Sequence, residues 1–158
     1  MFKDKLEQNL KYIAKLSDKL VLTGGAYLGL RRDGEFIKDD NDLDFIVNFK
    51  DLPELLQLFK DNDYQIIANE KITEENQIEI RCVDNSNLPR TLKLKRNGIG
   101  IDIVIGYTIA NHTYFITHGY KWRVHKYPNY VLIPTEIEYK GNTYKVPQED
   151  YLKFEYGN

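Results

Sequence analysis

The chain has 158 residues, a formal net charge of −2, 42% apolar residues and one cysteine, Cys82. That suits a single domain over residues 1–158 with a full core. It argues against a stable nucleic-acid partner, which a basic excess usually marks, and it leaves no intrachain disulfide. No apolar run approaches the ~20 residues of a membrane span. Residues 1–7 lack the apolar core of a secretion signal, so a cytoplasmic location is expected.

Residues 3–19 carry Leu6, Leu10, Ile13 and Leu16 at helical spacing, which predicts an amphipathic helix. A short buried strand follows over Lys19–Leu22. Thr23-Gly24-Gly25 breaks it, residues 26–30 suit a short helix, and Arg31-Arg32-Asp33-Gly34 reads as a loop or turn. A strand is expected from Asp42 to Phe49, then a helix beginning at Pro53 with Leu55, Leu56 and Phe59 inward. Strand character recurs at 64–68, 77–83, 91–95 and 100–107, with a turn cluster at Asn85–Pro89. Residues 136–146 read as a hairpin around Lys140-Gly141-Asn142, and a final short helix from Pro147 is stopped by Gly157. The order predicts an α+β domain: a mixed sheet flanked by a few helices, with an extra C-terminal hairpin and short helix.

Three features carry chemistry. Gly24-Gly25 stands at a strand-to-helix transition, where glycine lets backbone amides approach a phosphate, although such a pair is also an ordinary turn. Asp42 and Asp44 alternate with Leu43, Phe45 and Val47, so a strand projects both carboxylates on the face opposite the core. Like charges so placed repel unless a cation sits between them; a solvated sheet edge is the alternative. Asp102 is the one charge in Ile101-Asp102-Ile103-Val104-Ile105, and burying it alone would cost several kcal/mol. It is either at an exposed edge, paired with a lysine or arginine, or a third metal carboxylate beside the first two. Asp39, Asp40 and Asn41 read as a solvated turn.

Other features have bland readings. Arg90, Lys93, Lys95 and Arg96 fit a basic edge strand that resists aggregation. Residues 120–127 interleave cations with aromatic rings, which suits base stacking or a choline head, but equally an amphipathic strand with its rings packed inward. His112, His118 and His125 lack zinc-site spacing, and Cys82 reads as a small core residue.

The order Gly-Gly, Asp-x-Asp, then a lone Asp in an apolar strand resembles the nucleotidyltransferase fold shared with DNA polymerase β. The stretch Leu22–Ile37, the box Asp40-Asn41-Asp42-Leu43-Asp44, Ile101-Asp102-Ile103, and the closing Val146-Pro147, Tyr151-Leu152 and Tyr156-Gly157 are similar to the LicD/fukutin family. That pattern goes on to a tryptophan after Tyr-Gly, which this chain lacks. The resemblance implies a magnesium- or manganese-dependent transferase moving a phosphorylated alcohol, such as phosphocholine, from a CDP-linked donor to a glycan or similar hydroxyl. It further implies Asp42, Asp44 and Asp102 as metal-holding catalytic residues, Gly24 and Gly25 against the donor phosphates, and Arg32 on the pyrophosphate or the acidic loop. The alternatives are nucleoside monophosphate transfer from a triphosphate, and a non-catalytic nucleotide-binding domain of the same fold.

Overall fold

In a computed structural model that describes residues 2–71, 89–118 and 122–157, the first apolar stripe forms helix α1 (Phe2–Leu16). Leu6, Leu10 and Ile13 are fully buried, as their spacing requires. The helix stops three residues short of the expected end. Ser17 Oγ accepts from the Lys19 amide at 3.0 Å, offering the backbone a partner outside the helix.

Strands β1 (Val21–Thr23), β2 (Asp42–Asn48), β3 (Gln65–Lys71), β4 (Pro89–Arg96) and β5 (Ile99–Ile109) make one mixed sheet in the order β1-β2-β5-β4-β3. Only β2 and β5 run parallel. The far end of β5 pairs with β6 (His112–His118), which pairs with β7 (Trp122–Pro128). Alternation puts Leu43, Phe45 and Val47 of β2, Ile101, Ile103 and Ile105 of β5, and Leu92 and Leu94 of β4 on one face. All are buried in one cluster with α1 and with Leu55 and Phe59 of helix α3 (Leu52–Asp61).

Two expectations are corrected and one alternative is decided. Residues 31–33 belong to helix α2 (Gly24–Asp33), which continues to Gly34. There a φ of 70° turns the chain back, and the Gly34 amide donates to the Leu30 carbonyl at 3.1 Å. Strand β4 is interior, between β3 and β5, so its lysines guard no sheet edge. The residues at 122–128 are a strand whose His125 and Tyr127 are buried against Phe115, so the ring-inward alternative holds for those two. The predicted strand at 77–83, Cys82 and most of the turn cluster lie outside the described residues.

The hairpin forms as expected from β8 (Thr135–Tyr139) and β9 (Asn142–Val146). Lys140 and Gly141 both take positive φ, at 48° and 78°, as a two-residue hairpin turn requires. The hairpin clasps the start of the chain. The Tyr139 hydroxyl donates to the Glu35 carboxylate, Lys3 reaches the same carboxylate at 3.0 Å, and Lys140 pairs with Glu7 at 3.0 Å. Burial would raise the Glu35 carboxyl, but hydrogen bonds from Tyr139, Lys3 and the Phe36 amide outweigh it and bring it down to about 2. A depressed carboxyl stabilises the fold above its ordinary value and loses that contribution as pH falls through the folded one. Tyr139→Phe should therefore cost about 1–3 kcal/mol near neutrality in a denaturant titration. The deficit should shrink as pH falls toward 2. Helix α4 (Asp150–Tyr156) closes the described chain, capped where the Gly157 amide donates to the Lys153 carbonyl at 2.9 Å.

Candidate active site

The strand alternation that buries Leu43, Phe45 and Val47 turns Asp42 and Asp44 to the other face, where both are half-buried. Parallel pairing sets Asp44 directly beside Asp102, and Asp42 beside Gly100. On the outer sides Thr23 of β1 opposes Asp44, and Lys93 of β4 opposes Asp102. One row across four strands therefore reads Thr23, Asp44, Asp102, Lys93, with neighbouring strands about 4.8 Å apart. Asp42 stands in the adjacent row.

The glycines shape the same face. Gly24 has a φ of +66°, and a Cβ there would lie 2.4 Å from Asp44 Oδ2. A Cβ at Gly25 would lie 3.3 Å from Asp40 Oδ2. Gly29 acts at a distance: a Cβ would meet the Glu35 carbonyl at 2.6 Å, so only glycine lets the chain cross α2 there and return Asp40 beside Gly25. Thr23, the residue before α2, is extended and makes no side-chain cap. The first-turn amides of α2 thus lack a side-chain acceptor from that position beside the carboxylates, an arrangement suited to an anion.

Electrostatics mark the cluster. Burial, followed by the charges of Asp42, Asp102 and Asp40, raises the Asp44 carboxyl to about 7, with Lys93 pulling the other way. Burial and Asp42 also raise Asp40, whose Oδ2 is buried without a hydrogen-bond partner. Among the described residues, no three Asp, Glu, His or Cys side chains stand close enough together, as placed, to hold a metal ion. Strand pairing brings three carboxylates to one patch, but their tips are not drawn around a common centre. An open, oxygen-only set of this kind fits a hydrated hard cation that shares its shell with substrate phosphate, rather than an enclosed structural ion. The residues that could hold it are Asp42, Asp44 and Asp102.

The fold thus gathers five of the six candidate residues, Gly24, Gly25, Asp42, Asp44 and Asp102. Arg32 is elsewhere. It is exposed in the last turn of α2, roughly 12 Å along the helix from Gly24, and its guanidinium grips Asp33 at 2.9 and 3.1 Å. Two residues join the face in its place, Asp40 and Lys93. Asp40 lies just before β2, after the turn at Lys38-Asp39, and that turn rather than the strand alternation brings it beside Gly25. The place of Lys93 follows only from strand register. Of the histidines, His125 is buried with its Nδ1 3.2 Å from Glu155, which ties β7 to α4.

A family model described as LicD/FKTN/FKRP, nucleotidyltransferase domain, matches residues 18–149. That span opens just before β1 and closes just before α4. Among solved structures, the crystal structure of the lincosamide antibiotic adenylyltransferase LnuA, lincomycin-bound, superposes with a TM-score of 0.60 at 15% identity. The match covers 95% of this chain and 85% of that one, and it shows the shared nucleotidyltransferase fold. No curated protein sequence matches the chain.

Proposed function

Because the chain belongs to the LicD/FKTN/FKRP nucleotidyltransferase-domain family, we propose that it moves a phosphorylated alcohol from a CDP-linked donor to a glycan or similar hydroxyl. Family and fold together support the coarser statement, a nucleotide- or phosphoryl-transferring enzyme. The observation that carries transfer chemistry is the row in which Asp44 and Asp102 adjoin, beside the first turn of α2, and the family supports the CDP-linked donor. Among the described residues no helix is long and apolar enough to cross a membrane.

The chemistry assigned to each residue follows from its place. Gly24 and Gly25 bring the α2 amides to the donor pyrophosphate, and the missing side-chain cap at Thr23 leaves room for phosphate oxygen. Asp42, Asp44 and Asp102 would hold magnesium or manganese, which when bound polarises the acceptor oxygen and neutralises leaving-group charge. Lys93 stands at the end of the carboxylate row, where its charge offsets part of the mutual repulsion. The acceptor oxygen attacks the phosphorus on the alcohol side of the pyrophosphate. The new O–P bond replaces the bridging P–O bond, CMP departs with that bridging oxygen, and the acceptor's proton passes to solvent.

A second reading rests on the LnuA likeness: transfer of a nucleoside monophosphate from a triphosphate to a small hydroxyl acceptor. The two differ in what is released. Incubating the protein and magnesium with CDP-choline, CDP-ribitol, CDP-glycerol and each nucleoside triphosphate, each together with sugar and polyol acceptors, with CMP and pyrophosphate as readouts, separates them. CMP release is the expected result. Pyrophosphate release without CMP would transfer the assignment to the second reading. Neither product, with no thermal shift from magnesium plus any cytidine nucleotide, would identify a non-catalytic domain.

A further inference from the structure

On the same sheet face as the carboxylates, one row beyond Asp44, a groove of about 450 Å³ opens over Val21 of β1 and Ile46 of β2. It begins about 7 Å from the Asp44–Asp102 row, two strand residues away. One wall is aliphatic, formed with Leu132, Ile133 and Pro134. The floor is a chain of polar side chains. Asn48 Nδ2 donates to Thr108 Oγ1 at 2.9 Å, the Thr108 and Thr113 hydroxyls meet at 3.1 Å, and Thr113 donates to Asn129 Oδ1 at 2.9 Å. Hydroxyls and primary amides have more donor and acceptor sites than these bonds use, so the chain can take further partners. Lys19, Lys50 and Lys145 border the groove together with Asp18 and Asp51, so cations exceed carboxylates by one. Lys145 has Asp18 at 3.9 Å, whereas among the described residues Lys19 and Lys50 make no ion pair.

We propose that this groove is the acceptor site of the transfer reaction and takes a phosphorylated sugar or polyol. Three observations select that class. Among the described residues no aromatic ring lines the groove, so it offers a nucleoside base no stacking partner there. An aliphatic wall facing a ladder of hydroxyls and amides matches the C–H and O–H faces of a sugar or polyol. Lys19 and Lys50, without an ion pair among the described residues, supply the counter-charge for a phosphate. The position also answers the reaction's need: an acceptor lying over Ile46 can present a hydroxyl at the carboxylate row while α2 holds the donor from the other side.

The assignment rests on the transferase reading above, and the test separates the two. Glucose 6-phosphate and sorbitol 6-phosphate are titrated into the metal-free protein by calorimetry, and CDP with magnesium is titrated separately. The sugar phosphates should saturate with a Kd of about 1 mM or tighter, weakened about tenfold in Lys50→Glu and in Thr108→Val. Asp44→Asn should leave their binding unchanged. CDP–magnesium should show the reverse pattern, lost in Asp44→Asn and retained in Lys50→Glu. Loss of CDP–magnesium binding in Lys50→Glu would give the groove to the donor and overturn the proposal. So would the absence of saturable binding by either sugar phosphate. If CDP–magnesium binds nowhere while the sugar phosphates bind as expected, the donor reading falls and the groove stands as their site.

Discussion

Asp44→Asn should abolish turnover, by at least about a thousandfold, and should make the metal-free protein more stable at pH 8. Both effects come from one arrangement. Asp44 sits between Asp102 in register and Asp42 on its own strand, and burial with those charges raises its carboxyl to about 7. A folded value above the unfolded one means that the native state holds a proton the unfolded chain gives up. The associated stability is complete below the unfolded value and is lost as pH rises through about 7. At pH 8 the wild-type site therefore carries unrelieved repulsion. Asparagine keeps the shape and removes the charge, so a gain on the order of 2 kcal/mol is expected, with a Tm higher by about 5 °C. Magnesium should raise the Tm of the wild type and leave that of the variant unmoved. Equal Tm values for the two metal-free proteins at pH 8 would mean that the carboxylates are not strained together. Full turnover in the variant would remove Asp44 from the chemistry altogether.

Gly24→Ala is expected to have the next largest effect, and Gly34→Ala provides its control. Both glycines hold φ near +70°, where an L-residue is strained by about 1–2 kcal/mol. They differ in what a methyl group would meet. At Gly34 nothing lies within 4 Å, whereas at Gly24 the new carbon would come within 2.4 Å of Asp44 Oδ2 and 2.8 Å of Asp44 Cβ. The short aspartate side chain has no far end to swing away, so either Asp44 or the first turn of α2 must move. Turnover should fall about a hundredfold or more in Gly24→Ala, as for other displaced catalytic groups. In Gly34→Ala it should hardly change, while both variants lose stability in a denaturant titration. Comparable turnover in the two variants would separate the glycine turn from the carboxylate face and leave the backbone conformation as its only function.

Much of this arrangement is legible in the sequence because it depends on local periodicity. Asp42, Asp44 and Asp102 each interrupt an otherwise apolar alternation, so the pattern that defines the core also defines the face away from it. The hairpin follows from Lys140-Gly141 between alternating segments. What stays hidden is set by register between distant segments. Nothing local says that Lys93 of β4 will stand opposite Asp102, or that β4 will be interior. The extent of α2 escapes for another reason. The Arg31–Gly34 stretch has the composition of a turn, yet the helix runs on to Gly34 and carries Arg32 away from the helix start at Gly24. Asp40 is a different case. The polar run at 38–41 does hold a turn, with Asp39 at a φ of 63°, but its composition does not show that the turn returns the Asp40 carboxylate beside Gly25.

The clasp between Tyr139 and Glu35 has a consequence for how the protein comes into being. Those residues are 104 positions apart, and the Tyr27 hydroxyl reaches the Pro147 carbonyl across 120. During synthesis, β1, α2 and β2 leave the ribosome long before the hairpin that fastens the loop between α2 and β2. At roughly 5–20 residues per second, the segment bearing Asp40 waits on the order of ten seconds for its fastener. The nascent chain therefore carries its cluster of carboxylates early and unfastened. Substitutions in the hairpin should then lower the yield of folded protein more than they lower the activity of the molecules that do fold.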